Sequence, residues 1–125
     1  MNNIDIFFAL IKNEITGAAL NIPSDVEVNA IDVLRIAKKQ DLAHLVADAL
    51  IRNGIVTYRD KIYKSVLREK LIAYYRDVHR TLFYKTVAQT LTENGIRYVP
   101  MKGILLCKLY AEPWMRNSCD LDILI

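Results

Sequence analysis

Two aspartates near the C-terminal end of the chain are the residues most suited to metal chemistry. Asp120 and Asp122 flank Leu121 and precede three branched apolar residues, a composition typical of a β-strand, where aspartate is disfavoured. Side chains two residues apart project to the same face of a strand, so the two carboxylates are expected to lie together. Adjacent anions repel unless a cation lies between them, and carboxylate oxygens suit Mg²⁺ or Mn²⁺. The pattern predicts a metal site; a turn cap at Asp120 with a solvent-facing Asp122 is the plainer alternative.

A lysine-glycine pair and an arginine precede the aspartates and are suited to phosphate. Lys102 and Gly103 follow a predicted strand and open a predicted helix, where backbone N–H groups and the helix dipole favour an anion. Arg116 stands four residues ahead of Asp120, close enough to pair with the carboxylates or to reach a phosphate oxygen. The three residues predict a phosphate site beside the metal site. The alternatives are an ordinary strand-to-helix turn with an exposed lysine, and a salt bridge from Arg116 that only holds its loop.

Apolar periodicity predicts four helices ahead of this segment. The first covers residues 2–16, the second begins at Asn29, and the third is capped by Asp41 and ends at Asn53. The fourth is long, covers residues 58–93 and ends before an Asn-Gly pair. Its apolar and aromatic residues share one stripe with the charges opposite, so we expect the stripe to pack inward. The members of the stripe are Leu67, Leu71, Tyr74, Tyr75, Val78, Leu82 and Val87.

The residues after the fourth helix predict a small α/β unit, so the expected fold class is α+β and mainly α. Residues 96–101 and 121–125 are rich in β-branched or other apolar residues and predict two short strands, with a helix over 104–110 between them. The predicted organisation is a helical region over residues 1–93. It is followed over residues 94–125 by the first strand-helix-strand unit of a larger sheet.

The composition is that of one ordinary globular domain with an apolar core. Of the 125 residues, 53% are hydrophobic and 25% are charged, and the net charge of +3 gives a mild preference for anionic partners. Basic residues outnumber acidic ones over residues 58–85, with tyrosines between them, which fits a nucleic-acid face or, more simply, a solvated helix face. The sequence shows neither a signal peptide nor a membrane-spanning run, so we expect a cytoplasmic protein that does not bind membranes.

The order and spacing of several C-terminal residues are together characteristic, although each is common alone. These residues are Tyr98, Val99, Pro100, Met101, Lys102, Gly103, Leu109, Tyr110, Pro113, Arg116 and the segment 120–125. In this combination the chain resembles the uncharacterised nucleotidyltransferase family found in bacteria, a branch of the polymerase-beta-like nucleotidyltransferase superfamily. The likeness covers about residues 90–125 by motif and the preceding helices in outline.

The resemblance implies metal-dependent transfer of a nucleotidyl group from a nucleoside triphosphate to an unknown acceptor. It implies that Asp120 and Asp122 hold Mg²⁺ or Mn²⁺, and that phosphate is bound by Lys102, Gly103 and Arg116. The wider superfamily has a glycine-serine turn where this chain has Lys102-Gly103, so the lysine would replace the serine contact. The superfamily also places a third carboxylate on a later strand than any present here, so the 125-residue chain is expected to be inactive alone.

A second function, from a different class, stays open beside the enzymatic one. The chain could be a non-catalytic helical interaction module that retains a degenerate nucleotidyltransferase end. An unpaired strand at residues 121–125 would then recruit another chain, so self-association through the exposed strand edge is expected for such a module. Nucleic-acid binding through residues 58–85 is a third hypothesis, which predicts an affinity that falls steeply with salt.

Overall fold

The computed structural model describes residues 1–117 and 121–125, and within them the chain is mainly helical with a small antiparallel sheet. This confirms the predicted fold class, α+β and mainly α. The elements are α1 (Asn3–Thr16), α2 (Ala30–Lys39), α3 (Ala43–Arg52), α4 (Tyr63–Glu93), β1 (Val99–Met101), α5 (Gly103–Leu106) and β2 (Asp122–Leu124). Cys107–Leu109 and Pro113–Met115 form single 3₁₀ turns.

The described residues form two compact units that divide inside α4. The N-terminal unit is Met1–Ile72 and the C-terminal unit is Ala73–Ile125. The domain boundary predicted between residues 93 and 94 stays a prediction. Within the described part of the chain, no helix combines the length and the apolar character needed to cross a membrane.

The caps of the first two helices follow directly from their flanking residues. The Asn2 side chain accepts a hydrogen bond from the Asp5 backbone N–H at 2.9 Å, and the Asp5 carboxylate accepts one from the Asn2 backbone at 3.1 Å. This reciprocal pair satisfies two N–H groups that the first turn of a helix leaves without a backbone partner. Gly17 ends α1 with φ 70°, a conformation that glycine adopts without strain. Asn29, from which the second helix was predicted to begin, caps α2 by accepting from the Asp32 backbone N–H.

Two predicted helix starts are wrong, and local hydrogen bonds explain both. Asp41 does not cap α3, because its φ is 56° and its backbone N–H donates to the Lys38 carbonyl, which places it at the end of α2. Leu42 holds the cap position of α3 instead, without a side-chain hydrogen bond. The long helix begins at Tyr63 rather than at residue 58, because the Asp60 carboxylate accepts from the backbone and hydroxyl of Thr57 and closes a turn.

The core of the N-terminal unit lies where α1, α2 and α3 meet. Side chains from all three helices are fully buried there, among them Leu10, Val33 and Leu50, each 0% exposed. Burial of such residues is the main favourable term in folding, at roughly 1.5–3 kcal/mol for each large aliphatic side chain. The other members of the core are Ile6, Phe7, Ala30, Leu34, Ala37, Ala43, Val46, Ala47, Ala49, Val56 and Val66.

Charged side chains also enter the N-terminal unit. Glu14 of α1 is 2% exposed, and its carboxylate lies 2.9 Å from the Arg52 guanidinium of α3. Asp48, also on α3 and 8% exposed, lies 2.6 Å from the Lys70 ammonium of α4. Arg52 is close to Glu14, but neither Glu14 oxygen has a donor in hydrogen-bonding geometry among the described residues, and an ionised Asp48 cannot supply one because it is an acceptor only. A proton held between the two carboxyls would supply the missing donor.

The apolar stripe of α4 was expected to pack inward, and this is wrong for most of its members. Leu71, Tyr74, Tyr75, Val78 and Leu82 are between 40% and 67% exposed. The buried side of the helix in the C-terminal unit instead carries Arg80, which is 6% exposed. Arg80 donates to Asp77 at 2.6 Å, so the two charges neutralise each other within one helical turn and can face inward together.

The sheet of the C-terminal unit is a single antiparallel pair. Its register aligns Val99 with Leu124, Pro100 with Ile123, and Met101 with Asp122. Both strands are shorter than predicted, with three residues each. Val99 and Leu124 are 56% and 59% exposed, so the pair at the outer end of the sheet faces solvent. Self-association through this edge stays a prediction.

Candidate functional site

Lys102 and Asp122 are brought together by the strand register. Met101 is paired with Asp122, so the residue that follows Met101 emerges directly beside the carboxylate. The Lys102 Nζ lies 3.7 Å from the Asp122 Oδ2. Both side chains are accessible, at 70% and 42% exposed, so a ligand in solvent can reach each of them. Of the predicted site residues, these two are the ones whose charged atoms the structure places in contact.

Gly103 begins α5 immediately after Lys102, as expected from the sequence. The helix is short, however, with only four residues before the 3₁₀ turn. A helix of this length aligns few peptide dipoles, so it attracts an anion less than the predicted 104–110 helix would. The Lys102 carbonyl accepts hydrogen bonds from the backbone of Leu105 and Leu106, which fixes the turn. The Lys102 ammonium is therefore the stronger positive charge at this position.

Lys102 has a backbone conformation that normally requires glycine. Its φ is 54° and its ψ is −122°, values typical of the first central residue of a type II′ turn. A residue with a side chain in such a conformation costs on the order of 1–3 kcal/mol. The ion pair with Asp122 contributes about 1 kcal/mol at most, because both groups are solvent-exposed and screened. The ion pair therefore does not offset the strain that the lysine introduces.

Replacing Lys102 by glycine tests this balance. The Lys102→Gly variant is expected to raise the free energy of unfolding of the C-terminal unit by about 1 kcal/mol, because the relieved strain exceeds the lost ion pair. Lys102→Ala loses the ion pair but keeps the strained backbone, so it is expected to be neutral or slightly destabilising. Urea denaturation followed by circular dichroism measures both. An equal response of the two variants would contradict the strain at this position.

The remaining predicted site residues are not joined to this pair by the described structure. Asp120 lies outside the described residues, so its predicted place on the same face as Asp122 stays a prediction. Arg116 follows the 3₁₀ turn that contains the buried Trp114. Within residues 1–117 and 121–125, Arg116 forms no ion pair. Its predicted approach to the carboxylates or to a phosphate is thus untested.

The donor chemistry at Asp122 fits a hard divalent cation, although the described residues do not form a complete ligand set. In that part of the chain, no cluster of three or more His, Cys, Asp or Glu side chains is suited to a metal ion. Mg²⁺ typically keeps several waters and binds one or two carboxylates together with substrate phosphates. Asp122 is an accessible carboxylate at a strand end and lies beside a lysine ammonium. One such carboxylate is a ligand of the kind that Mg²⁺ takes from a protein.

Tyr84 and a cavity that it lines beside β1 were not predicted from the sequence. Burial raises the pKa of the Tyr84 phenol above its ordinary value, and the neighbouring Tyr98 hydroxyl raises it further. Tyr84 of α4 also lines a cavity of about 320 Å³, together with Pro100 of β1 and Ile104 of α5. No sequence signal marked Tyr84, because it lies off the apolar stripe that defined the predicted inward face.

Comparison with known families extends the likeness to most of the chain. A family model described as an uncharacterised nucleotidyltransferase matches residues 27–125. The match begins before α2, so it includes the later helices as well as the strand and turn that hold Lys102 and Asp122. Searches of curated proteins and of solved structures found no match.

Proposed function

The chain belongs to the uncharacterised nucleotidyltransferase family, and from this we propose that it takes part in metal-dependent transfer of a nucleotidyl group from a nucleoside triphosphate to an acceptor oxygen. The polymerase-beta-like superfamily is the proposed wider relationship. A divalent cation bound with the triphosphate would supply charge neutralisation of the reacting phosphate. The protein's own part is to hold the cation and to orient the phosphate chain.

The proposed roles follow from charge and position. Asp122, with Asp120, holds the cation through carboxylate oxygens, which are the ligands that Mg²⁺ and Mn²⁺ prefer. Lys102 attracts the triphosphate from the end of β1, and Gly103, which is buried at the start of α5, is proposed to contribute its backbone rather than an exposed surface to the phosphate site. Arg116 is proposed as a second phosphate ligand.

A single observation supports these roles most strongly. The Lys102 ammonium and the Asp122 carboxylate lie 3.7 Å apart, on adjacent strand ends and both accessible to solvent. A metal-bound phosphate is attracted by both kinds of group, because the cation is attracted to the carboxylate while the phosphate oxygens are attracted to the ammonium. The pair contributes little to stability because it is exposed, so both groups are available to bind a ligand.

The proposal is tested by binding rather than by turnover. We expect the chain to bind ribonucleoside triphosphates in the presence of Mg²⁺, and we expect Asp122→Asn to weaken that binding by about tenfold or more. The reason is that loss of one charge-assisted contact costs on the order of 1.5–3 kcal/mol. Isothermal titration calorimetry with ATP, GTP, CTP and UTP gives the affinities directly.

A matched variant controls for charge and folding. Asp32→Asn removes the same charge from the first turn of α2, where the described structure pairs Asp32 with the neighbouring Arg35. We expect this variant to bind like the unmodified chain. Equal affinity of the unmodified chain and Asp122→Asn for every triphosphate would remove Asp122 from the proposed site, and absence of any binding would overturn the proposed function.

A further inference from the structure

Lys102 carries a side chain at a position where glycine would be more stable, and the described structure offers only one charged partner for that side chain. Its φ of 54° is positive, whereas the other positive φ among the described residues of the C-terminal unit belongs to Gly95. The ion pair with Asp122 is too exposed to compensate for the strain. Folding stability therefore does not account for a lysine at this position.

At its present distance from Asp122, the Lys102 ammonium disfavours the binding of a metal ion to that carboxylate. A divalent cation on Asp122 would lie within a few ångströms of Nζ, and two positive charges at that separation repel. Lysine is a compact charge on a flexible stem of four carbons, so it can leave the carboxylate without any change in the backbone. A triphosphate gives it an alternative anionic partner nearby.

We propose that Lys102 is the resident counter-ion of Asp122, released to the triphosphate when the metal-nucleotide complex binds. This inference rests on the proposed function and deepens it by assigning an order to the ligands. Without nucleotide, the ammonium neutralises Asp122 and competes with a free metal ion. With nucleotide, the ammonium binds phosphate and the carboxylate is available to the metal. Metal and nucleotide binding thereby become interdependent, and the site discriminates against free metal ions.

The inference makes two predictions of opposite sign for one substitution. Lys102→Ala is expected to tighten the binding of Mn²⁺ alone by about fivefold, because a repelling unit charge at roughly 4 Å in water is removed. The same variant is expected to weaken the binding of ATP at saturating Mg²⁺ by about tenfold, because a charge-assisted phosphate contact is lost. A residue that only shapes the turn would change both affinities in the same direction or in neither.

The experiment measures free Mn²⁺ by electron paramagnetic resonance and Mg²⁺-ATP binding by calorimetry on the full 125-residue chain. Lys102→Gly is the second variant, since it removes the ammonium while relieving the backbone, and it is expected to show both changes. Lys108→Ala is the matched control, because it removes an exposed lysine of the same unit. It is expected to show neither change.

The outcomes separate this inference from the proposed function. Tighter Mn²⁺ binding and weaker ATP binding in both Lys102 variants, but not in the Lys108 variant, would support the counter-ion role. If the unmodified chain binds both ligands and the Lys102 variants bind them equally well, the counter-ion role is overturned while the proposed function stands. If the unmodified chain binds neither Mn²⁺ nor ATP, both are overturned.

Discussion

Leu10→Ala is expected to destabilise the N-terminal unit by about 3 kcal/mol, within the 2–5 kcal/mol typical of a leucine truncated inside a packed core. Leu10 is 0% exposed and belongs to the cluster where α1, α2 and α3 meet. The substitution removes buried apolar surface and leaves a cavity that the surrounding helices fill only in part. Urea denaturation of the variant measures the loss as a lower transition midpoint with an unchanged slope.

Leu71→Ala is the control for this prediction, and it also tests the outward face of α4. Leu71 belongs to the same unit but is 52% exposed, so its truncation is expected to change the free energy of unfolding by less than about 1 kcal/mol. Losses of similar size in the two variants would show that the stripe of α4 is buried in solution. The pair of substitutions is chemically identical, so burial is the difference being measured.

The stability of the N-terminal unit is expected to fall as pH rises between about 4.5 and 7. Burial raises the pKa of the Glu14 carboxyl from 4.5 to about 7, and the adjacent Asp48 carboxyl adds to the shift, while Arg52 and Lys70 oppose it. A pKa that is higher in the folded state means that the folded chain binds the proton more tightly. The stabilisation is therefore complete below pH 4.5 and is lost as pH passes through 7. The loss is on the order of 3 kcal/mol.

Glu14→Gln isolates this contribution. The amide cannot ionise, yet it retains a donor for Asp48 and an acceptor for Arg52, so the variant is expected to be more stable than the unmodified chain at pH 8. The difference between the two should shrink towards pH 5. Urea denaturation at intervals from pH 5 to 8 measures it. Glu69→Gln removes an ion pair with Lys38 that is partly exposed, and it is expected to leave the pH dependence in place.

The sequence predicted the helices of the N-terminal unit well where their boundaries depend on nearby residues. Asn2 and Asn29 each accept from a backbone N–H three residues ahead, and Gly17 supplies the left-handed turn. Such interactions lie within about one turn of the chain, so they can be predicted from the amino-acid sequence. Asp41 has the same chemistry as a cap, but its place depends on how α2 ends, which the local pattern does not show.

The orientation of α4 was beyond sequence reasoning for a physical reason. Periodicity shows that apolar residues share a face, but it does not show which face meets the rest of the fold. The inward position of Arg80 goes with its ion pair to Asp77. The cavity lined by Asp77, Tyr84 and Ile104 joins residues distant in sequence, so it appears only when the chain is folded.

The candidate site was predicted in composition and only partly in geometry. Lys102 and Asp122 were both chosen from the sequence, and their contact arises from a strand register that the sequence does not specify. The positive φ of Lys102 was also invisible, because nothing in a lysine-glycine pair states which of the two residues takes the left-handed conformation. The glycine at 103 would have been the natural choice.

The strained turn at Lys102 has a consequence for how the family can diverge. If the proposed binding role outweighs the strain at Lys102, the value of its charge depends on the acid across the strand pair. A lineage that loses the acid at position 122 has no further use for the ammonium, and mutation towards glycine at position 102 then brings a gain in stability without a functional loss. The two positions are therefore expected to change together during evolution, although 20 residues of chain separate them.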